Sequence, residues 1–172
     1  MNSPTHYNFI QNGSLALLIL VLGVMAGFFW TYTFNINQAM LQVSADYYAT
    51  IQSLFNVNVR NAMFFSFFFG GGLFGVLAVL LNLTHRKHIS FWLVIAATLT
   101  YILGIIVFTR EVNLPLNYYT ESWDPQNLPA DWQSIRDQWN QANAIRVGTS
   151  LTAFLLAILA LVSRSTGAVR TS

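Results

Sequence analysis

The chain has no cysteine, which excludes disulfides, thiolate metal sites and cysteine nucleophiles. Charge is also scarce: Lys, Arg, Asp and Glu make up 8% of its 172 residues, against about 25% in a soluble domain. So little charge excludes a disordered chain, most soluble folds and a nucleic-acid binder with a basic footprint. The net charge of +2 reflects a shortage of acids rather than a cationic surface. No zincin, nucleophile-elbow, phosphate-loop or dinucleotide fingerprint is present. The three histidines avoid the long apolar runs: His6 stands alone, and His85 and His88 share a short basic turn with no third ligand. Neither haem ligation inside a membrane nor a metal site is expected from them. What remains is hydrocarbon, with 55% hydrophobic residues, 15% aromatics and a mean hydropathy of +0.50. The length allows one domain, and its solvent is lipid.

A helix needs about 20 mostly apolar residues to cross the bilayer. Ser14–Phe34, Asn61–Leu83 and Ile89–Thr109 meet that length without a charge. A fourth run, Val147–Val162, is too short until it takes in Asn143 and Arg146, which gives a span over Asn143–Ser163. The reading is an all-α integral membrane four-helix bundle, one domain over residues 1–172 with membrane lipid as its partner. The first span follows no Lys or Arg and is too long for a signal-peptide core, so it reads as a retained helix. An arginine at the edge of a span is expensive unless it pairs, meets water or snorkels. Arg146 is therefore expected to face the bundle interior or a wet vestibule, with snorkelling to headgroups as the alternative. Four spans put the Thr84–His88 turn and both termini on one side. That side carries Arg86, Lys87, Arg164 and Arg170, and the other carries Arg60, Arg110, Arg136, Arg146 and all six acids. Lys/Arg counts tie. The second group is expected to be engaged in holding the structure and the first to be free, which favours cytoplasmic termini.

Between spans one and two, Met40, Val43, Tyr47, Ile51 and Leu54 recur at helical steps. They predict a short amphipathic helix that packs on the bundle as a lid. The polar loop 110–142 holds Pro115, Pro125 and Pro129. Pro115 is expected to end the third helix near Val112–Asn113. Tyr118, Tyr119 and Trp123 suit a membrane interface, and Pro129-Ala130-Asp131 reads as a helix start. Gly23-xxx-Gly27 and Gly71-xxx-Gly75 are close-packing patterns that suggest contact between helices one and two. Five phenylalanines in the six positions 64–69 surround the second helix. Some must face lipid, and the others pack the core or line an apolar pocket for a flat ligand.

Trp132, Arg136, Trp139, Asn143, Arg146 and Ser150 are spaced 4, 3, 4, 3, 4 and share one stripe of a helix. An aromatic and cationic stripe is expensive in lipid, so it should face other helices, as a binding surface or as a structural belt. Arg60, Arg110, Glu111, Asn113, Asn117 and Arg146 all belong to the same membrane face. Glu111 is expected to pair with Arg110, Arg136 or Arg146, in an ionisable site or in an ion pair that fixes the loop.

Glu111-Val112-Asn113-Leu114-Pro115-Leu116-Asn117, then Trp132, Arg136, Trp139, Asn143 and Arg146 before the last apolar helix, resembles the anthrone oxygenase-like family. The resemblance implies a four-helix membrane protein that oxidises an anthrone to an anthraquinone with molecular oxygen and no cofactor. It implies Glu111 as the base, Arg146 and Arg136 as stabilisers of the substrate anion, Asn113 and Asn117 as orienting groups, and Asn143 as a further substrate-binding residue. Trp132 and Trp139 would stack on the rings of a lipophilic aromatic substrate. The alternative is a non-catalytic protein whose Arg/Glu/Trp layer is a clasp or a partner-binding surface. Oligomeric state stays open.

Overall fold

The computed structural model describes residues 7–169; His6 and Arg170 lie outside them. Among the described residues four helices are long and apolar enough to cross a membrane: Phe9–Met40, Ala62–Leu81, Ile89–Glu121 and Trp132–Arg164. No strand accompanies them there. The protein is an all-α four-helix bundle and a multi-pass membrane protein. Seven α segments build it: α1 (Phe9–Thr31), α2 (Asn37–Met40), α3 (Ala45–Asn58), α4 (Ala62–Leu81), α5 (Ile89–Tyr101), α6 (Leu114–Glu121) and α7 (Trp132–Val169). Local chemistry starts the first and second spans. Asn8 accepts from the Gln11 amide at 2.9 Å while Gln11 Oε1 accepts from the Asn8 amide at 3.0 Å, a reciprocal cap. Asn61 caps α4 by accepting from the Phe64 amide at 3.0 Å.

Three of the four spans outrun the bilayer. At 1.5 Å per residue, helices such as Phe9–Met40 reach about 48 Å, well past the roughly 30 Å of hydrocarbon. The surplus builds a second layer on one membrane face, where α3 and α6 pack against the ends of the long helices. Met40, Tyr48, Ala49 and Trp123 form its small core. Burial pushes the Tyr48 phenol above its ordinary range, so it stays neutral. The amphipathic helix exists, but the expected apolar stripe is split: Met40 and Ile51 pack into this core, while Val43, Tyr47 and Leu54 are exposed. Tyr48, Ala49, Gln52 and Asn56 point inward. The physical reason is the solvent: beside a bilayer an apolar stripe is satisfied by lipid, and a polar stripe needs protein partners. Gln52 Nε2 donates to Asn56 Oδ1 at 3.0 Å, and Asn56 Nδ2 donates to Thr120 Oγ1 at 3.0 Å, tying α3 to α6.

Pro115 does not end the third helix. The chain passes through π-helical turns at Ile102–Val107 and Thr109–Asn113 and continues into α6 with Pro115 in its first turn. The π turn just before Pro115 widens the helix there, which makes room for the ring and absorbs the bond its missing N–H cannot make.

In the membrane, α1 and α5 each pack against both α4 and α7. The interior stripe of α7 continues beyond Ser150 through Ala153, Ala157, Ala160 and Arg164, all buried. Such small side chains let α7 approach its neighbours closely. Helices α1 and α4 do touch, as the glycine patterns suggested, but the glycines serve other contacts. Gly23 faces the Phe154 ring of α7, Gly71 the Tyr101 ring and Gly75 the Thr98 side chain of α5. Tyr101 is fully buried and its hydroxyl donates to the Phe68 carbonyl at 2.9 Å, so its ring cannot retreat. Gly71→Ala drives a methyl group into that ring. It should destabilise the bundle by about 1–3 kcal/mol, read as a lowered thermal midpoint in detergent, with Gly27→Ala, which meets nothing within 4 Å, as the neutral control.

Candidate functional site

The membrane end of the α7 stripe carries the most unusual side chain of the fold. Arg146 is 7% exposed, and it has no ion-pair partner among the described residues. Its Nη2 donates to Asn143 Oδ1 at 2.6 Å, a bond within its own helix, and its Nε has no hydrogen-bond partner. The guanidinium lies 4.7 Å from the Phe29 ring centre and 5.9 Å from that of Trp139, a cation–π setting that offsets only part of the desolvation. Asn143 is anchored across the bundle: its Nδ2 donates to Thr33 Oγ1 at 2.6 Å and to the Phe29 carbonyl at 3.3 Å. Trp139 Nε1 donates to Asn117 Oδ1 at 2.6 Å, and its ring leans on Tyr32 at 5.1 Å.

These groups wall a cavity of about 220 Å³. Its apolar side is Phe28 and the α4 ring cluster Phe64, Phe65, Phe68 and Phe69. Its polar side includes Tyr32, Asn56, Arg60, Thr109, Asn117, Asn143 and Arg146. A second crevice of about 450 Å³ runs between α1 and α4 toward Val24 and Phe67 and shares Phe28, Tyr32, Phe55, Val59 and Phe64 with the first. A mostly apolar, concave space with a few convergent polar groups is the usual form of a small-molecule site.

Of the residues singled out in the sequence, the structure brings Arg146, Asn143, Trp139 and Asn117 to this chamber. Glu111 is not among its walls: it sits on the outer surface of a π turn, its side chain 62% exposed, and pairs with Arg110 at 3.4 Å. The continuing helix is the reason, since it turns Thr109 inward and Glu111 outward. Arg136 pairs with the neighbouring Asp137 at 2.9 Å and covers the Trp132 ring at 5.3 Å; both belong to the outer layer. Asn113 is fully buried beside the chamber but does not line it, and neither of its side-chain polar atoms has a hydrogen-bond partner. The carboxylate that does reach this layer is Glu121, which grips Arg60 through both oxygens, one contact being Arg60 Nη1 to Glu121 Oε2 at 3.0 Å. Sequence reasoning missed Glu121 because it ended the helix at Pro115. It missed Tyr32 and Thr109 because neither breaks an apolar pattern. No group of three or more His, Asp or Glu side chains among the described residues could hold a metal ion.

Arg164, expected to be a free cytoplasmic charge, is instead buried at the opposite mouth of the bundle. Its Nε donates to Ser90 Oγ at 2.9 Å, its Nη1 to the Gln11 carbonyl at 3.0 Å and to Asn12 Oδ1 at 2.9 Å, and its Nη2 to Asn82 Oδ1 at 3.0 Å. It is a satisfied clasp joining α7 to α1, α5 and the end of α4. Arg110, expected to be held in the structure, is largely exposed. Arg164→Ala strands several acceptors at once. It should cost about 3 kcal/mol or more, measured as loss of the folded, monodisperse form in detergent on mild heating.

A family model described as anthrone oxygenase matches residues 54–156, from the end of α3 through most of the membrane part of α7. No curated protein and no solved structure matches. The matched region is more than half of the chain and contains Arg60, the α4 ring cluster, the Asn113–Asn117 segment and the α7 stripe as far as Arg146 and Ser150. The chain belongs to the anthrone oxygenase family.

Proposed function

We propose that this protein is a membrane oxidoreductase that binds a lipophilic, anthrone-like aromatic ketone in the chamber and oxygenates it with molecular oxygen, without a cofactor. The observation that carries this reading is Arg146: a buried guanidinium with no carboxylate partner, on the polar side of a chamber whose other side is phenylalanine. A structural clasp bonds across helices, as Arg164 does, whereas the hydrogen bond Arg146 makes stays within α7.

The chemistry follows from the charge. An anthrone has an acidic methylene conjugated to its carbonyl. Losing one methylene proton to water gives an enolate whose charge rests largely on oxygen. A guanidinium in a low-dielectric wall stabilises that oxygen anion far better than water does. The electron-rich carbon then reacts with O2, forming a C–O bond and, after protonation, a hydroperoxide. Loss of the second methylene hydrogen as a proton breaks the O–O bond and expels hydroxide, which combines with that proton. The methylene becomes a carbonyl, one oxygen atom enters the product and the other leaves as water. Trp139 and the α4 rings present flat apolar faces to the ring system, and Asn143 holds the guanidinium.

Arg146→Met should lower the initial rate of oxygen consumption with emodin anthrone by about 100-fold or more. Its thermal midpoint should stay level or rise, because the lost charge is buried and incompletely paired. A normal rate, or a collapse of stability with the residual folded enzyme fully active, would return Arg146 to a purely structural role.

We also infer that both termini face the cytoplasm. Arg86 and Lys87 are exposed in a short turn on that side, while Arg60, Arg136 and Arg110 opposite are paired with acids and Arg146 is buried. In this cysteine-free chain, expressed in a bacterial inner membrane, Gln126→Cys should react with an impermeant maleimide from outside the inner membrane and Lys87→Cys should not.

A further inference from the structure

Three polar atoms on residues lining the chamber have no hydrogen-bond partner: Arg146 Nε, Tyr32 Oη and Thr109 Oγ1. They come from three different spans at one level of the bundle. Arg146 lies over Phe29, one turn before Tyr32. Gly104 of the third span packs on Thr149 of α7, which sets Thr109 level with the turn that carries Arg146. Tyr32 and Thr109 each open a π-helical turn, Tyr32–Ile36 and Thr109–Asn113. Such turns concentrate at functional sites, where they re-aim side chains at the expense of regular bonding.

Apart from Asn113, which is buried and unpartnered but does not line the chamber, other polar side chains around it are treated differently. Tyr101 gives its hydroxyl to the Phe68 carbonyl, Trp139 gives its N–H to Asn117, and Asn143 gives its amide to Thr33. Unpartnered atoms such as Tyr48 Oη and Trp123 Nε1 belong to the outer layer, off the chamber. A fixed cation with two rotatable hydroxyls and no carboxylate is a set of donors in need of one acceptor that carries negative charge.

We propose that Tyr32 and Thr109 are ligand-contacting residues that, together with Arg146, form a three-donor site for a single oxygen anion on the bound aromatic ring system. This assignment rests on the chamber reading above and extends it. Arg146 supplies the charge, and the two hydroxyls supply direction. Oxygen-centred charge on a conjugated ketone or phenol lies in the plane of its rings, and the α4 phenylalanines and Trp139 line the chamber that would take those rings.

The test uses the full chain in detergent and 1,8-dihydroxyanthraquinone, whose colour reports ionisation of its phenol. Wild type should bind the dye and shift its phenol-to-phenolate midpoint downward by about one pH unit. Tyr32→Phe and Thr109→Val should each weaken phenolate binding by about tenfold and return much of that shift. Their thermal midpoints should equal or exceed that of wild type, since each variant deletes an unpartnered hydroxyl. Arg146→Met should abolish the shift. If the two hydroxyl variants match wild type while Arg146→Met loses the shift, the three-donor site is wrong and the arginine chamber stands. If either hydroxyl variant unfolds at lower temperature, its hydroxyl is a structural bond and the assignment fails. If Arg146→Met binds and shifts the dye like wild type, the chamber reading falls and takes the three-donor site with it.

Discussion

Hydrocarbon offers no hydrogen bonds, so a polar group carried into a bilayer depends on what the protein places around it. Helix α7 carries two guanidinium groups into this setting, at Arg146 and Arg164. They lie about 27 Å apart along the helix axis, close to the thickness of the hydrocarbon core. Each marks one face of the membrane, and the protein treats them in opposite ways. Arg164 is saturated by four acceptors from the ends of α1 and α4 and the start of α5. Arg146 is left with an unpartnered Nε and no acid.

That asymmetry organises the rest. The saturated end closes the bundle, and the small interior stripe of α7 between the arginines lets the helices pack tightly. Tight packing there permits looseness at the other end, where α1 and the third span widen into π turns and α4 contributes rings rather than small residues to the wall. The outer layer completes the arrangement. Arg60 and Glu121, with the Gln52–Asn56–Thr120 chain, lock α3 to α6 over the chamber. Every acid that could have neutralised Arg146 is held elsewhere or faces solvent. The charge is thus left without a protein counterion among the described residues.

Much of this was readable from the chain, and the failures have identifiable causes. Long uncharged runs gave the spans, because hydrophobicity over about 20 residues depends on no tertiary contact. The short fourth run pointed to Arg146 as an inward-facing charge, and the 4, 3 spacing from Trp132 onward placed Trp139, Asn143 and Arg146 on one inward stripe. Pro115 misled because its effect depends on its place in a helical segment, and a π turn just before it made that place harmless. One wrong helix end drew attention to Glu111, which faces out, and hid Glu121, which faces in and pairs with Arg60. The stripe from Met40 to Leu54 was half right: Met40 and Ile51 pack on the outer core, while Val43, Tyr47 and Leu54 face out, where lipid beside a membrane satisfies an apolar side chain. The glycine patterns marked close packing correctly and the partners incorrectly, since small residues record how near a neighbour comes without recording which neighbour it is.

The sequence by itself determined the solvent, the number of spans and the inward direction of one charged stripe, because each follows from local composition and helical period. The tertiary structure alone decided which arginine is saturated and which is left with an open donor. It also decided that Tyr32 and Thr109 line the same chamber as the latter. Those facts depend on which acceptors distant segments bring within about 3 Å, and hydrogen bonds of that range between residues more than 100 positions apart leave no local trace in a chain.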